Sequence, residues 1–297
     1  MEHTPPAGQP LSAVDGHARY VPDEPTPDAA RDLHESRYAW IVENLVPGDA
    51  TVLDLGCGSG YGAYHLAGQA VRVVGVDVSA AAIAHARDRY RAPNLEFVVV
   101  SPDTPLRDRL GADRFDLVVS AEVLEHVRNP FAHVTDVAAV LASDGVAVVC
   151  TPNRWLRYER DRGGLFDRSH VMEFTPEALF SLLAVAFASV DLWFQCHPAA
   201  DPPPAAPIGP TRPGLVRGVA RGARRAVGVF VAEVVRATRR SRPPAPAPPS
   251  TAGPISPLRQ AAEHRSEFVR AGRDGGPVPP GAVGLVAICR RPRNDPA

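Results

Sequence analysis

At 297 residues, 45% of them hydrophobic, the chain can bury one well-cored domain with additions or two small ones. A formal net charge of −1 gives no global field for a polyanion, so nucleic acid is not an expected partner. There is no run of about 20 apolar residues to span a bilayer, no secretory leader in Met1–Pro6, and no CxxC or metal-finger spacing among the four cysteines, so a reduced, cytoplasmic chain is expected.

Residues 1–28 are rich in Pro, Gly and Asp and read as a flexible N-terminal arm. In 29–46, Leu33, Tyr38, Ile41, Val42 and Leu45 recur at helical spacing, and Pro47-Gly48 stops the run. Strands and helices then alternate. Strands are predicted at Thr51–Leu55, Val71–Val76, Leu95–Val100, Phe115–Ser120, Val146–Cys150 and Ser189–Gln195. Helices are predicted over 62–68, 80–90, 130–141 and 176–187, with Ser79 and Thr175 as N-caps. Near-continuous Val/Leu strands between helices indicate a parallel sheet covered on both faces. Residues 197–281 break the pattern. Pro-rich stretches at 198–213 and 243–257 flank an Arg-rich segment, 214–240, after which Val283–Cys289 reads as a last strand. The core is thus expected at 29–196 and 282–291, with 197–281 inserted at the tip of the final hairpin.

Ligands of open α/β sheets sit beyond the carboxyl ends of the strands. There the sequence places Asp54-Leu55-Gly56-Cys57-Gly58-Ser59-Gly60 and, closing the second strand, Asp77. Glycines allow a sharp turn and close approach of backbone to ligand. A carboxylate at Asp77 can accept both hydroxyls of a ribose. The loop is not the G-x-G-x-x-G of a dinucleotide site, since Tyr61 stands where the third glycine would fall. Lysine is absent from the chain, which removes a Walker-A lysine, a Schiff base and a Tyr-x-x-x-Lys dyad. Asp54 would repel a phosphate but suits the cationic amino end of an amino-acid cofactor.

Val52–Gly60 resembles the first motif of class I S-adenosylmethionine-dependent methyltransferases, and Val74-Gly75-Val76-Asp77-Val78-Ser79 their acidic second motif. Phe115–Val119, Glu122–Val127, Leu141–Val146 and Thr151-Pro152-Asn153 resemble the later ones. The resemblance implies an α/β fold, a Rossmann-like seven-stranded, mostly parallel sheet with an antiparallel last strand and helices on both faces. It implies S-adenosylmethionine as cofactor. Asp54, Leu55, Gly56, Cys57, Gly58 and Gly60 would hold its methionine part, Asp77 with Val78 its ribose side, and Ser101, Ala121 and Glu122 the rest. The family usually has an acid after the third strand, near the adenine amino group; here stand Ser101 and Pro102. Either Asp103 reaches in, or adenine is held by apolar contact. On the first helix, Arg37 is placed to pair with the cofactor carboxylate.

Glu122, Glu125 and His126, at spacings of three and four, would share one side of a helical turn. With His170 in His-Val-Met-Glu-Phe-Thr, the pattern resembles small-RNA 2′-O-methyltransferases and ubiquinone-pathway O-methyltransferases. In the former, two carboxylates and two histidines hold a divalent metal. Carried over, Glu122, Glu125, His126 and His170 would ligate Mg²⁺, Mn²⁺ or Zn²⁺ and lower the pKa of an acceptor hydroxyl. Alternatively His126 and His170 are catalytic as general bases, or the set only orients the cofactor.

In 214–240, Val216, Val219, Val227, Phe230 and Val234 share one helical face and Arg217, Arg221, Arg224 and Arg225 another. A basic amphipathic helix of this kind docks on an anionic membrane surface, or packs on the domain as a lid. The sequence therefore points to O-methylation of a small hydroxylated acceptor. The alternatives are a non-catalytic cofactor-binding protein with a docking helix, and an RNA methyltransferase.

Overall fold

The computed structural model describes residues 20–22, 24–25, 27–111, 113–154, 169–197, 266–271, 279 and 282–292. Most of the arm and the 214–240 segment lie outside the described residues.

Helix α1 (Asp28–Leu45) leads into β1 (Thr51–Leu55), α2 (Tyr61–Ala67), β2 (Arg72–Asp77), α3 (Ala80–Arg89) and β3 (Leu95–Val99). Then follow α4 (Leu106–Leu110), β4 (Phe115–Ala121), α5 (Pro130–Val140), β5 (Leu141–Pro152), α6 (Pro176–Leu183) and β6 (Phe187–Cys196). Two strands close the described chain, β7 (Glu267–Arg270) and β8 (Ala282–Pro292). The helix starts follow local chemistry. Ser79, Asn129 and Thr175 each accept a hydrogen bond from the backbone N–H three residues on, and Pro stands in the first turn of α5 and α6, where no N–H is needed.

The strands form one sheet in the order β3-β2-β1-β4-β5-β8-β6-β7. The pairs from β3 through β5 are parallel, and β8 runs antiparallel between β5 and β6. This is the expected α/β class with one strand more than expected. The extra strand, β7, pairs antiparallel with β6 at the sheet edge and lies inside the stretch 197–281 set apart from the core. Its four residues, Glu-Phe-Val-Arg, are charged at both ends, as suits an edge.

Alternate strand residues feed two apolar layers. One holds Leu53, Val118, Leu124, Phe115 and Phe187 with α5 and α6; the other holds Val52, Leu117, Val119 and Ile41 with α1, α2 and α3. Strand order reverses between β1 and β4, the switch point at which open α/β sheets have their ligand crevice. Among the described residues no helix is long and apolar enough to cross a membrane.

Candidate functional site

The turn after β1 is built from glycines that need their freedom. Gly56 and Gly60 have φ of 76° and 90°, a region side chains avoid. A Cβ on Gly56 would lie 2.3 Å from Val123 Cγ2, so the β1 and β4 loops approach backbone to side chain. The N–H groups of Gly56 and Cys57 donate to the Val76 carbonyl at 2.8 and 3.0 Å, binding the loop to the end of β2. Asp77 completes the link. Its Oδ2 accepts from Gly58 N–H at 3.0 Å and its Oδ1 from Ser79 N–H at 2.8 Å. A carboxylate has about four acceptor positions, so both oxygens keep capacity for ribose hydroxyls while holding the loop.

Asp54 lies beneath this turn with no exposure. Tyr38 on α1 donates to its Oδ1 at 2.9 Å, whereas among the described residues its Oδ2 has no hydrogen-bond partner. Burial, reinforced by the charge of Asp77, raises its pKa from 3.8 to about 7, although the Tyr38 hydroxyl and the backbone N–H of Ala63 oppose the shift. A buried carboxylate oxygen without a donor suits an incoming ammonium group.

Helix α1 roofs the crevice. Arg37 is buried; its Nε and Nη2 donate to Gln195 Oε1 on β6 at 3.2 and 2.9 Å, and Nη2 lies 3.2 Å from Glu122 Oε1. That last pair is an ion pair without hydrogen-bond alignment, since Glu122 Oε1 remains unsatisfied. The roof continues in the arm: Ser59 Oγ donates to the Tyr20 carbonyl at 2.9 Å, and the Tyr20 ring stacks on His34 with centroids 4.9 Å apart. Tyr20 and Gln195 were not singled out in the sequence.

Past β4 the chain makes a turn, not the expected helical turn. Glu122 has φ of 56°, and His126 N–H closes onto Val123 carbonyl at 3.0 Å. From this left-handed residue the Glu122 side chain reaches Arg37. Of the four expected ligands, three gather: atoms of Glu125, His126 and His170 lie within 4.8 Å of one another. Glu122 is not part of this group. Glu125 is buried, accepts from Thr151 Oγ1 at 2.8 Å through Oε2, and among the described residues has no hydrogen-bond partner at Oε1. Burial first, then the charge of Glu122, hold its pKa well above the usual carboxylate range. The histidine rings are oriented from behind, His126 Nδ1 by the Ser169 carbonyl at 3.2 Å and His170 Nδ1 by Glu173 Oε1 at 3.0 Å. Such outer contacts aim imidazoles at a common ligand.

After β3, Ser101 is half-buried in a turn in which its own Oγ accepts from Asp103 N–H at 3.3 Å. The Asp103 residue is exposed, whereas Val78 beside Asp77 presents an apolar side chain 52% exposed. Ala121 is half-buried at the end of β4, and Leu55 and Cys57 are buried.

The profile of a family described as "Methyltransferase domain" matches residues 22–186. A protein of Mycobacterium tuberculosis described as a probable S-adenosylmethionine-dependent methyltransferase is 34% identical over 150 residues, covering 50% of this chain and 52% of that protein. A ubiquinone biosynthesis O-methyltransferase of Glaesserella parasuis is 33% identical over 107 residues, covering 35% of this chain and 45% of that protein. The chain thus spans about half the length of the curated relatives it matches. Among solved structures, a SAM-dependent methyltransferase from Archaeoglobus fulgidus superimposes with a TM-score of 0.50 at 17% identity, over 87% of this chain and 93% of that one.

Proposed function

Because the chain belongs to the S-adenosylmethionine-dependent methyltransferase family, we propose that it transfers the cofactor's methyl group to the hydroxyl of a small acceptor. One observation carries the reading: Glu125, His126 and His170 converge one short turn past β4, the strand whose loop abuts the glycine turn at Gly56. Methyl transfer from a sulfonium needs an in-line nucleophile, and a hydroxyl becomes one by losing its proton. Imidazoles near neutrality are suited to take that proton. The matches to ubiquinone biosynthesis O-methyltransferases, partial in length, agree with an oxygen acceptor.

The crevice fits the cofactor by charge. The amino-acid end would lie between the unpartnered Asp54 Oδ2 and the Arg37 guanidinium, and the ribose against Asp77. The cluster also fits a divalent cation, because the Oε1 of Glu125 is buried without a donor and the two rings are aimed from behind. Glu125, His126 and His170 would hold Mg²⁺, Mn²⁺ or Zn²⁺, and the cation would lower the pKa of a bound hydroxyl. Glu122 serves instead as the counter-charge of Arg37.

The test is release of S-adenosylhomocysteine with a panel of catechols, phenols and aliphatic alcohols, alongside amine and thiol acceptors. Turnover restricted to hydroxyl acceptors is the expected result; turnover restricted to amines or thiols overturns it. Chelation followed by re-addition of Mn²⁺ separates the cation from the histidine base: full activity after exhaustive chelation rejects the cation.

A further inference from the structure

We propose that Gln195 is a positioning residue for the cofactor's amino-acid end: it fixes the Arg37 guanidinium so that its remaining edge meets the carboxylate. The inference rests on the reading above that Arg37 faces that carboxylate.

Gln195 is a polar residue in the middle of an otherwise apolar strand end, and it has no exposure. Leaving a buried amide unsatisfied costs about 1–3 kcal/mol per group, and here every group is used. Oε1 accepts from Arg37 Nε at 3.2 Å and Nη2 at 2.9 Å. Nε2 donates to the Leu33 carbonyl and to Ser36 Oγ, both at 2.9 Å. A carbonyl only accepts and a guanidinium only donates, so Leu33 and Arg37 together fix which end of the amide faces each of them.

The guanidinium has five donors in a rigid fork. Gln195 takes one edge, Nε with Nη2, and Glu122 lies beside Nη2. Among the described residues Nη1 has no hydrogen-bond or ion-pair partner, and this is the group left for a ligand. The choice of glutamine follows from charge. A glutamate in its place would add a second anion beside Arg37 and compete with the carboxylate to be bound. It would also set an oxygen against the Leu33 carbonyl. Glutamine orients the cation without adding a charge of its own.

A second residue bears on the same pair. Gly284 on β8 is opposite Gln195 in the ladder, and a Cβ there would lie 3.3 Å from Gln195 Oε1 and 3.7 Å from Arg37 Nη2. Glycine inside a strand often marks close approach of another group. Here the missing side chain is the room in which the amide and guanidinium meet.

The experiment compares two ligands on the full chain by calorimetry. S-adenosylhomocysteine carries the amino-acid end; 5′-methylthioadenosine has the same nucleoside and thioether without it. Gln195→Met should weaken S-adenosylhomocysteine about tenfold, the worth of one charge-assisted hydrogen bond, and leave methylthioadenosine within about twofold. Gly284→Ala, which presses on the pair without removing a polar atom, should give the same selectivity at a smaller size, and it serves if Gln195→Met does not fold. Equal losses for both ligands, or none for either, overturn the assignment, because a strut that merely holds α1 would not distinguish the ligands. Arg37→Met tests the premise. If it spares S-adenosylhomocysteine, Arg37 does not meet the carboxylate and the premise fails. If it weakens S-adenosylhomocysteine while Gln195→Met does not, only the positioning role fails.

Discussion

Asp54→Asn should stabilise the cofactor-free protein while weakening cofactor binding, and the stabilisation should grow with pH. Asp54 is fully buried, one oxygen has no donor, and its pKa is raised from 3.8 to about 7. A raised carboxyl pKa means that the folded state binds more protons than the unfolded state. Stability is therefore lost as pH climbs from 3.8 toward about 7. The loss is about 2 kcal/mol by pH 5 and about 4 kcal/mol by pH 8, at about 1.4 kcal/mol per pKa unit. Asparagine has no such titration. Any fixed cost of its amide, such as a lost or strained bond to Tyr38, is the same at both pH values. The gap between variant and parent should thus widen in favour of the variant by about 2–3 kcal/mol between pH 5 and pH 8. Urea unfolding at the two pH values reads that difference directly. Affinity for S-adenosylhomocysteine should fall at least about tenfold at pH 8, where the parent carboxylate is ionised and can face an ammonium. A gap that does not change with pH would show that Asp54 is not held protonated by burial. Unchanged affinity would show that it does not meet the amino group.

Asp77→Ala removes the acceptor of Gly58 N–H and Ser79 N–H as well as the proposed ribose contact, so it should cost about 1–3 kcal/mol of stability and most of the S-adenosylhomocysteine affinity, by urea unfolding and calorimetry. Gly62→Ala would put a Cβ 2.2 Å from the Tyr38 ring, so the ring must leave Asp54; binding should weaken, and Tyr38→Phe should reproduce part of the loss. His126→Ala and His170→Ala should each lower turnover at least about tenfold with S-adenosylhomocysteine affinity within about twofold, which steady-state kinetics and calorimetry together check.

The parallel strands were legible because strands buried on both faces are near-continuous runs of Val and Leu, and β1 falls on its expected residues. The caps at Ser79 and Thr175 were legible because capping is local chemistry. Two elements were not. Helix α4 is five residues after Pro105, too short to show a period, and β7 has two charges in four residues among prolines and glycines. The glycine turn and Asp77 were visible for the same local reason as the caps. Gln195 was not, since its partner Arg37 is 158 positions away and nothing in Asp-Leu-Trp-Phe-Gln-Cys announces a buried amide. The grouping of Glu122 with Glu125 failed on one dihedral angle. Spacing alone presumes a helix, whereas φ of 56° at Glu122 turns its side chain to Arg37.

Which buried polar groups are satisfied separates two kinds of work in this site. Gln195 uses both ends of its amide, and Asp32 accepts from both the N–H and the hydroxyl of Ser266 at 3.0 and 2.7 Å. Such groups join distant elements. By contrast, three buried carboxylate oxygens lack a hydrogen bond among the described residues: Asp54 Oδ2, Glu122 Oε1 and Glu125 Oε1. All three belong to the carboxyl ends of β1 and β4 or the turn beyond, on either side of the switch point. An unsatisfied buried acceptor costs about 1–3 kcal/mol, so such placement persists where a bound species can relieve it. Asp54 stands where an ammonium would sit, Glu125 among the two histidines, and Glu122 against the guanidinium that Gln195 holds still. Ligands that supply the missing charges should therefore stabilise the fold through the affinity they gain by relieving these sites. At one fixed concentration, S-adenosylhomocysteine should raise the unfolding midpoint of the parent more than that of Asp54→Asn, because the strain relieved on binding is part of the parent's affinity.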